Sequence, residues 1–504
     1  MKLPPFTLPA RLRLLSLAGT LPLLLASAGA AEIRSEWTGG GAGNFLWEAA
    51  ANWDTADYPH DNGSDRYGAF IGNATGERTI TTSGELRLAN FWLEQTSATG
   101  RSILKLGGDL HLETIGTSSP LRTPSASITN TTGDATRQVI DLQGHHLNVE
   151  IPLTYSNLAG AQYYTVRSTG TTGGLYSLAQ IFSNSSANDV RIEDDVTVRI
   201  TTANSNRFDG YRWSDASTLH LAFELGSTQT PRYLYLRGRG DNALSNLIVG
   251  DTSGIKTEVE LAFDAAPSIP YRLVRGNVTI HQGARIALIS GRSPLAVGGD
   301  FLDTNTTDDY GNGSLLFVGG GVEQTVSIAR EGLTTAIGIG SRTTAHGLEQ
   351  GKVRLLRDLI TEGAGKLYDG SELNVDTFRL ETGSLEFEDG ARLTLGFGDG
   401  AGEVVSQGDL LLGEFHLTLD VKGASWTNGD DLVLFRYDGD LIGTPGITGF
   451  TFRGAELVSY DALMHDASAG TLYLSNVTVI PEPKGLLLAG LAVCLILYRR
   501  RKTA

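Results

Sequence analysis

The residues of this chain best suited to chemistry are two acidic clusters. Glu193-Asp194-Asp195 offers carboxylates of the kind that hydrolyse glycosides when two of them face each other about 5–9 Å apart. Neighbouring strand residues point to opposite faces, so the triplet reads more simply as a turn or a solvated face. Asp303, Asp308 and Asp309 stand with Asn305 and Thr306, an oxygen-rich run that could hold calcium. Their spacing is not that of an EF-hand loop, and a polar turn is the simpler reading. Gly396-Phe397-Gly398-Asp399-Gly400 has the glycine-aspartate pattern of calcium-binding nonapeptides, but such sites need tandem copies and this one stands alone. His145-His146 has no H-E-x-x-H context, and adjacent strand residues would face apart. Neither a G-x-S-x-G elbow nor a phosphate-binding G-x-x-x-x-G-K-[ST] loop occurs. The expectation is no catalytic residue, no metal and no cofactor.

Charge and composition bound the rest. The 504 residues carry a net charge of -16. Both ends are basic, which leaves about -23 on residues 31–478. So acidic a body repels phosphate backbones, and nucleic acid is not an expected partner. The one cysteine, Cys494, lies in an apolar run near the C-terminus, so no intrachain disulfide staples the body. Its stability must come from burial and backbone hydrogen bonds.

The two ends carry the clearest signals. Lys2, Arg11 and Arg13 precede the leucine-rich run Leu14 to Ala26, and then Ser27-Ala28-Gly29-Ala30-Ala31. That layout predicts a secretory signal over residues 1–30, cut at Ala30 and Ala31, with a retained anchor as the alternative. At the other end Pro481-Glu482-Pro483 should end the preceding strand, because proline cannot continue its ladder. The apolar run Gly485 to Tyr498 follows, and then the basic anchor Arg499, Arg500, Arg501 and Lys502. As a helix that run spans about 21 Å against a hydrocarbon core of about 30 Å, a marginal span suited to a temporary anchor. The basic cluster should stay cytoplasmic and leave the acidic body outside.

Val479 to Pro483, the apolar segment and the terminal arginines together resemble the PEP-CTERM sorting tail of exported bacterial proteins. The resemblance covers residues 479–504. It implies recognition by an exosortase, removal of the tail near Pro481, Glu482 and Pro483, and a place on the cell surface or in an exopolysaccharide matrix. An ordinary C-terminal anchor is the alternative.

Between the ends, apolar residues alternate with polar ones. Val190 and Ile192, then Val196, Val198 and Ile200, follow this pattern, as do Val259, Leu261 and Phe263, Leu373 and Val375, Leu417, Leu419 and Val421, and Leu472 and Leu474. Residues 276–288 (GNVTIHQGARIAL) and 383–395 (GSLEFEDGARLTL) share a glycine turn between two short strands. Glycine allows the backbone angles of a tight corner. The pattern predicts an all-β fold, a parallel β-helix or solenoid over residues 81–429, with antiparallel sandwiches as the alternative. Coils of about 20–25 residues would give roughly 18–22 of them and a rod of about 90–110 Å.

Residues 31–80 should cap the open end. Trp37-Thr38-Gly39-Gly40-Gly41, Trp47 and Asn52-Trp53 resemble the opening of autotransporter-like β-repeat proteins, which implies a right-handed solenoid. Gly363 to Leu367 is similar to a short element of their repeats. The tryptophans read as cap packing, with a sugar-stacking platform as the alternative. Residues 430–478, denser in aromatics, should form a C-terminal cap ending in a strand over Thr471 to Leu474.

The combined expectation is an exported, non-catalytic structural or adhesive protein. Its partners would be the exosortase, an exopolysaccharide or a neighbouring surface protein, and the membrane before processing. A polysaccharide lyase or glycoside hydrolase on the same fold is the alternative.

Overall fold

A computed structural model describes residues 31–39, 45–61, 65–95, 98–113, 126–130, 134–151, 163–178, 189–201, 206–207, 211–223, 232–235, 244–254, 256–262, 272–288, 294–307, 310–330, 332–342, 349–397, 401–421, 428–443, 446–453 and 455–481. Among them the only helical elements are two 3-10 turns, Ala50–Asn52 and Ala135–Arg137. All other regular structure is β, and most of it is parallel.

The chain winds as a three-faced coil. One face is a continuous 15-stranded sheet running from Leu86–Leu88 to Gly446–Arg453. The face that precedes it in each coil comprises a 6-stranded and an 8-stranded sheet, with Leu244 bridging to Val274 between them. The third face holds three shorter sheets, which begin at Ala31–Glu36, Asn206–Arg207 and Leu359–Ile360. Parallel strands cannot be joined by a tight hairpin, so each coil must travel round the other two faces before it meets its neighbour.

The core follows from the alternation. Val190, Ile192, Val196, Val198 and Ile200 are buried, and so are Leu373, Val375, Leu417, Leu419 and Val421. In-register pairing stacks like on like, as in Val353 on Leu373, Leu373 on Leu393 and Leu393 on Leu417. One apolar column results, running from Trp37 to Val477. Leu261 takes its expected strand position, while Phe263 lies outside the described residues.

The coils are fewer and longer than their sequence spacing suggests. Lys352 pairs with Glu372, 20 residues on, but Leu110 pairs with Leu147, 37 residues on. Fifteen strands at about 4.8 Å rise only about 70 Å. The spacing between stacked strands varies from coil to coil, and strand alternation does not reveal it.

Corners are held by asparagine and aspartate. Asn277 N donates to Asn246 Oδ1 at 2.9 Å, Asp300 N to Asn277 Oδ1 at 2.8 Å, and Thr325 N to Asp300 Oδ1 at 2.7 Å. Each side chain thus satisfies a backbone N–H of the next coil. The glycine before Asp300 is required by packing, since a Cβ on Gly299 would overlap the backbone of Gly276.

The first end of the coil is closed, and at the far end one of its three faces is sealed. Trp47 is fully buried, and Trp37 and Trp53 nearly so, with centroids 4.8 Å apart for Trp47–Trp53 and 5.1 Å for Trp37–Trp53. Trp53 Nε1 donates to Trp47 O at 2.7 Å, and Trp47 Nε1 to Pro59 O at 3.0 Å. Their faces are covered, so these three rings form no sugar-stacking platform. Asp61 N donates to Arg87 O, which covers the first edge of the long sheet. At the far end Asp430–Tyr437 pairs antiparallel with Thr471–Pro481, which in turn pairs with Leu463–Asp466 and Ala455–Ser459. That final strand extends past the expected Leu474 and includes Pro481, which occupies its last position, where a missing N–H costs the ladder nothing.

Candidate functional site

The described residues of the acidic clusters singled out in the sequence lie in a corner and in a buried ion pair. Glu193, Asp194 and Asp195 make a corner between Asp189–Ile192 and Val196–Ile200, with Asp194 at φ +55° and both aspartates exposed. Asp303 is not a free metal ligand. Its side chain and that of Arg330 are 0 % and 1 % exposed, and Arg330 Nε donates to Asp303 Oδ2. Tyr310 donates its hydroxyl to the same oxygen, and Asn305 N donates to Oδ1 at 2.8 Å. Arg330 Nη2 also donates to Ala284 O at 2.8 Å, and its guanidinium lies 4.4 Å from the Tyr310 ring centroid. Burial, then the Asp303 charge, pushes the Tyr310 hydroxyl well above its usual pKa. Asp308, Asp309 and Gly398 to Gly400 lie outside the described residues. His145 sits in a turn and His146 opens a strand, where its Nε2 is 2.8 Å from Ser177 Oγ.

The sorting residues are only partly within view. Ala31 begins the first strand, opposite Asp65, and Pro481 ends the last one, opposite Ala455. Ala30, Glu482, Pro483, Arg499, Arg500, Arg501, Lys502 and the run Gly485 to Tyr498 lie outside the described residues. Among the described residues, no helix is long and apolar enough to cross a membrane.

The surface with most chemistry is one the sequence reading missed: the outer side of the long sheet over its last coils. Residues opposite the apolar column stack there in two rows. Lys352, Glu372, Arg392 and His416 form one by register, and Arg354, Asn374, Thr394, Thr418 and Thr451 the other. Most of these residues line a groove of about 680 Å³, which also takes in Arg453. Thr394 and Thr418 form its floor and are 5 % and 7 % exposed. His416 Nε2 lies 2.8 Å from Thr451 Oγ1, and Lys352 Nζ lies 3.5 Å from Glu372 Oε2. Arg392 and Arg453 are exposed and have no carboxylate partner among the described residues. The signal was present as R-L-T-L and H-L-T-L in successive strands, but its meaning depends on knowing which strands stack.

Two smaller recesses at the neighbouring corner, of about 550 and 500 Å³, share Arg342, Asp369 and Glu388. Two of their carboxylates, Glu386 and Glu388, are already paired. Lys366 Nζ lies 2.6 Å from Glu386 Oε1 and 3.0 Å from Glu388 Oε1. Burial opposes ionisation of Glu388, but hydrogen bonds from Lys366 and Arg342 outweigh it and hold the carboxyl below its usual pKa. A general acid needs the opposite displacement. Every described carboxylate with a displaced pKa, namely Asp134, Asp141, Asp251, Glu381, Glu388 and Asp466, is displaced downward. Among the described residues no three His, Cys, Asp or Glu side chains are grouped to hold a metal ion.

No family, curated protein or solved structure matches this chain.

Proposed function

We propose that this chain is an exported, non-catalytic rod that serves a structural or adhesive role at the cell surface or in an extracellular matrix. The stacked polar rows on the long sheet carry the reading. A surface that presents polar side chains on successive coils offers many weak contacts to a polymer, the geometry of multivalent adhesion. The partner is an exopolysaccharide or a neighbouring surface protein. We take the winding as right-handed, the sense of about 98 % of parallel crossovers within a sheet.

Export rests on the two ends. The signal at residues 1–30 directs the chain across the membrane, Gly485 to Tyr498 holds it there for a time, and an exosortase removes the tail near Pro481-Glu482-Pro483. Replacing all three motif residues with alanine should leave a longer, uncleaved protein in the inner-membrane fraction. Normal processing of that variant would remove the sorting argument. The alternative, a polysaccharide lyase or glycoside hydrolase, has its best footing in the groove beside Arg392 and His416. New reducing ends released from a polysaccharide panel would favour it.

A further inference from the structure

The groove on the last coils of the long sheet is a cationic feature on an acidic body. Whereas residues 31–478 carry about -23, the groove presents Lys352, Arg392 and Arg453 against the single carboxylate of Glu372, which Lys352 already pairs. The remaining basic side chain of these rows, Arg354, is matched: it reaches Asp376 at 3.7 Å. Arg392 and Arg453 alone in the groove are left with open guanidinium forks, and Thr394 and Thr418 turn hydroxyls without protein partners onto its floor.

We infer that this groove binds a carboxylate-bearing polysaccharide. The inference rests on the adhesive reading above and deepens it. A guanidinium fork matches a carboxylate with two parallel hydrogen bonds, which a neutral glycan cannot return. The threonine row supplies neutral donors and acceptors at the strand spacing of about 4.8 Å, close to the length of one sugar ring in an extended glycan. Arg392 and Arg453 stand two strands apart and four positions along the strand, a diagonal of about 16 Å. A short oligosaccharide spans that distance, so one chain can meet both arginines while crossing the threonine floor. His416, fixed against Thr451, holds the middle of the path. Nucleic acid, the other common polyanion, brings a denser charge, which the acidic body opposes beyond the groove.

The test uses the full chain in detergent, with polygalacturonate, neutral dextran and single-stranded DNA as probes. Polygalacturonate should bind, more weakly as salt rises, and more tightly than either other probe. The double variant Arg392→Gln/Arg453→Gln should lose about tenfold or more in affinity, since two charge-assisted contacts go. Both side chains are exposed, so its melting temperature should stay at the wild-type value. Thr394→Val/Thr418→Val should lose less. Wild-type affinity in the arginine variant would overturn the groove assignment and leave the adhesive reading standing. Tighter binding to DNA would overturn the ligand class. Binding to neither polysaccharide would overturn the groove assignment as well, and would leave a neighbouring surface protein as the partner in the adhesive reading.

Discussion

Asp303 shows what a residue type alone cannot tell. In the sequence it stands among oxygen-bearing neighbours and suggests calcium; in the fold it is the buried partner of Arg330, 27 residues away on the adjoining coil. No local pattern announces that pairing, because which residues of the adjoining coil come near Asp303 depends on the length of chain between them. Taking two charges out of water is costly, and their mutual attraction barely repays it; removing one partner costs about 3–5 kcal/mol. Arg330→Met should therefore lower stability by about that amount in urea unfolding, by leaving Asp303 buried with only Tyr310 and Asn305. Asp303→Asn/Arg330→Met should recover part of the loss. An unchanged midpoint in the single variant would show that the network contributes nothing.

Elements were legible where alternation alone decides them. Apolar residues at every second position set the strands, and glycine set the corners: Gly283 and Gly390 both take positive φ, +81° and +82°. The position of an element in the coil was less legible. The two similar segments GNVTIHQGARIAL and GSLEFEDGARLTL do not stack as equivalents. Val278–Ile280 and Arg285–Ile286 lie on the long sheet and the third face, whereas Ser384–Phe387 and Arg392–Gly396 lie on the preceding face and the long sheet. A strand-glycine-strand pattern fits any corner, so similarity fixed the local shape and not the register. The closing hairpin lets the element scale be tested. Leu472 and Leu474 are fully buried in the strand that seals Asp430–Tyr437. Leu474→Asp would place an unpaired charge there, release the strand and leave a parallel edge open to other chains. Light scattering should then show oligomers. A monomer with wild-type melting behaviour would contradict the capping role.

At the scale of the whole molecule, the all-β class followed from alternation, whereas the parallel coil was favoured over antiparallel sandwiches by the repeated strand-glycine-strand segments, since alternation fits both. Rod length followed from neither, since it depends on the length of chain in each coil. The outer groove was hidden for the same reason: Arg392, His416, Thr394 and Thr418 become neighbours only once coils of 20 and 24 residues are stacked. What the molecule is for depends on which side of the membrane it works. Its basic ends and acidic bulk predict that residues 31–478 leave the cytosol. Cells carrying an epitope within that stretch can be labelled intact with a membrane-impermeant antibody, with a cytosolic protein as the control. The epitope should be reached without lysis, on a protein shortened at both ends. An epitope reached only after the cells are broken, together with soluble full-length protein in the cytosolic fraction, would contradict the account.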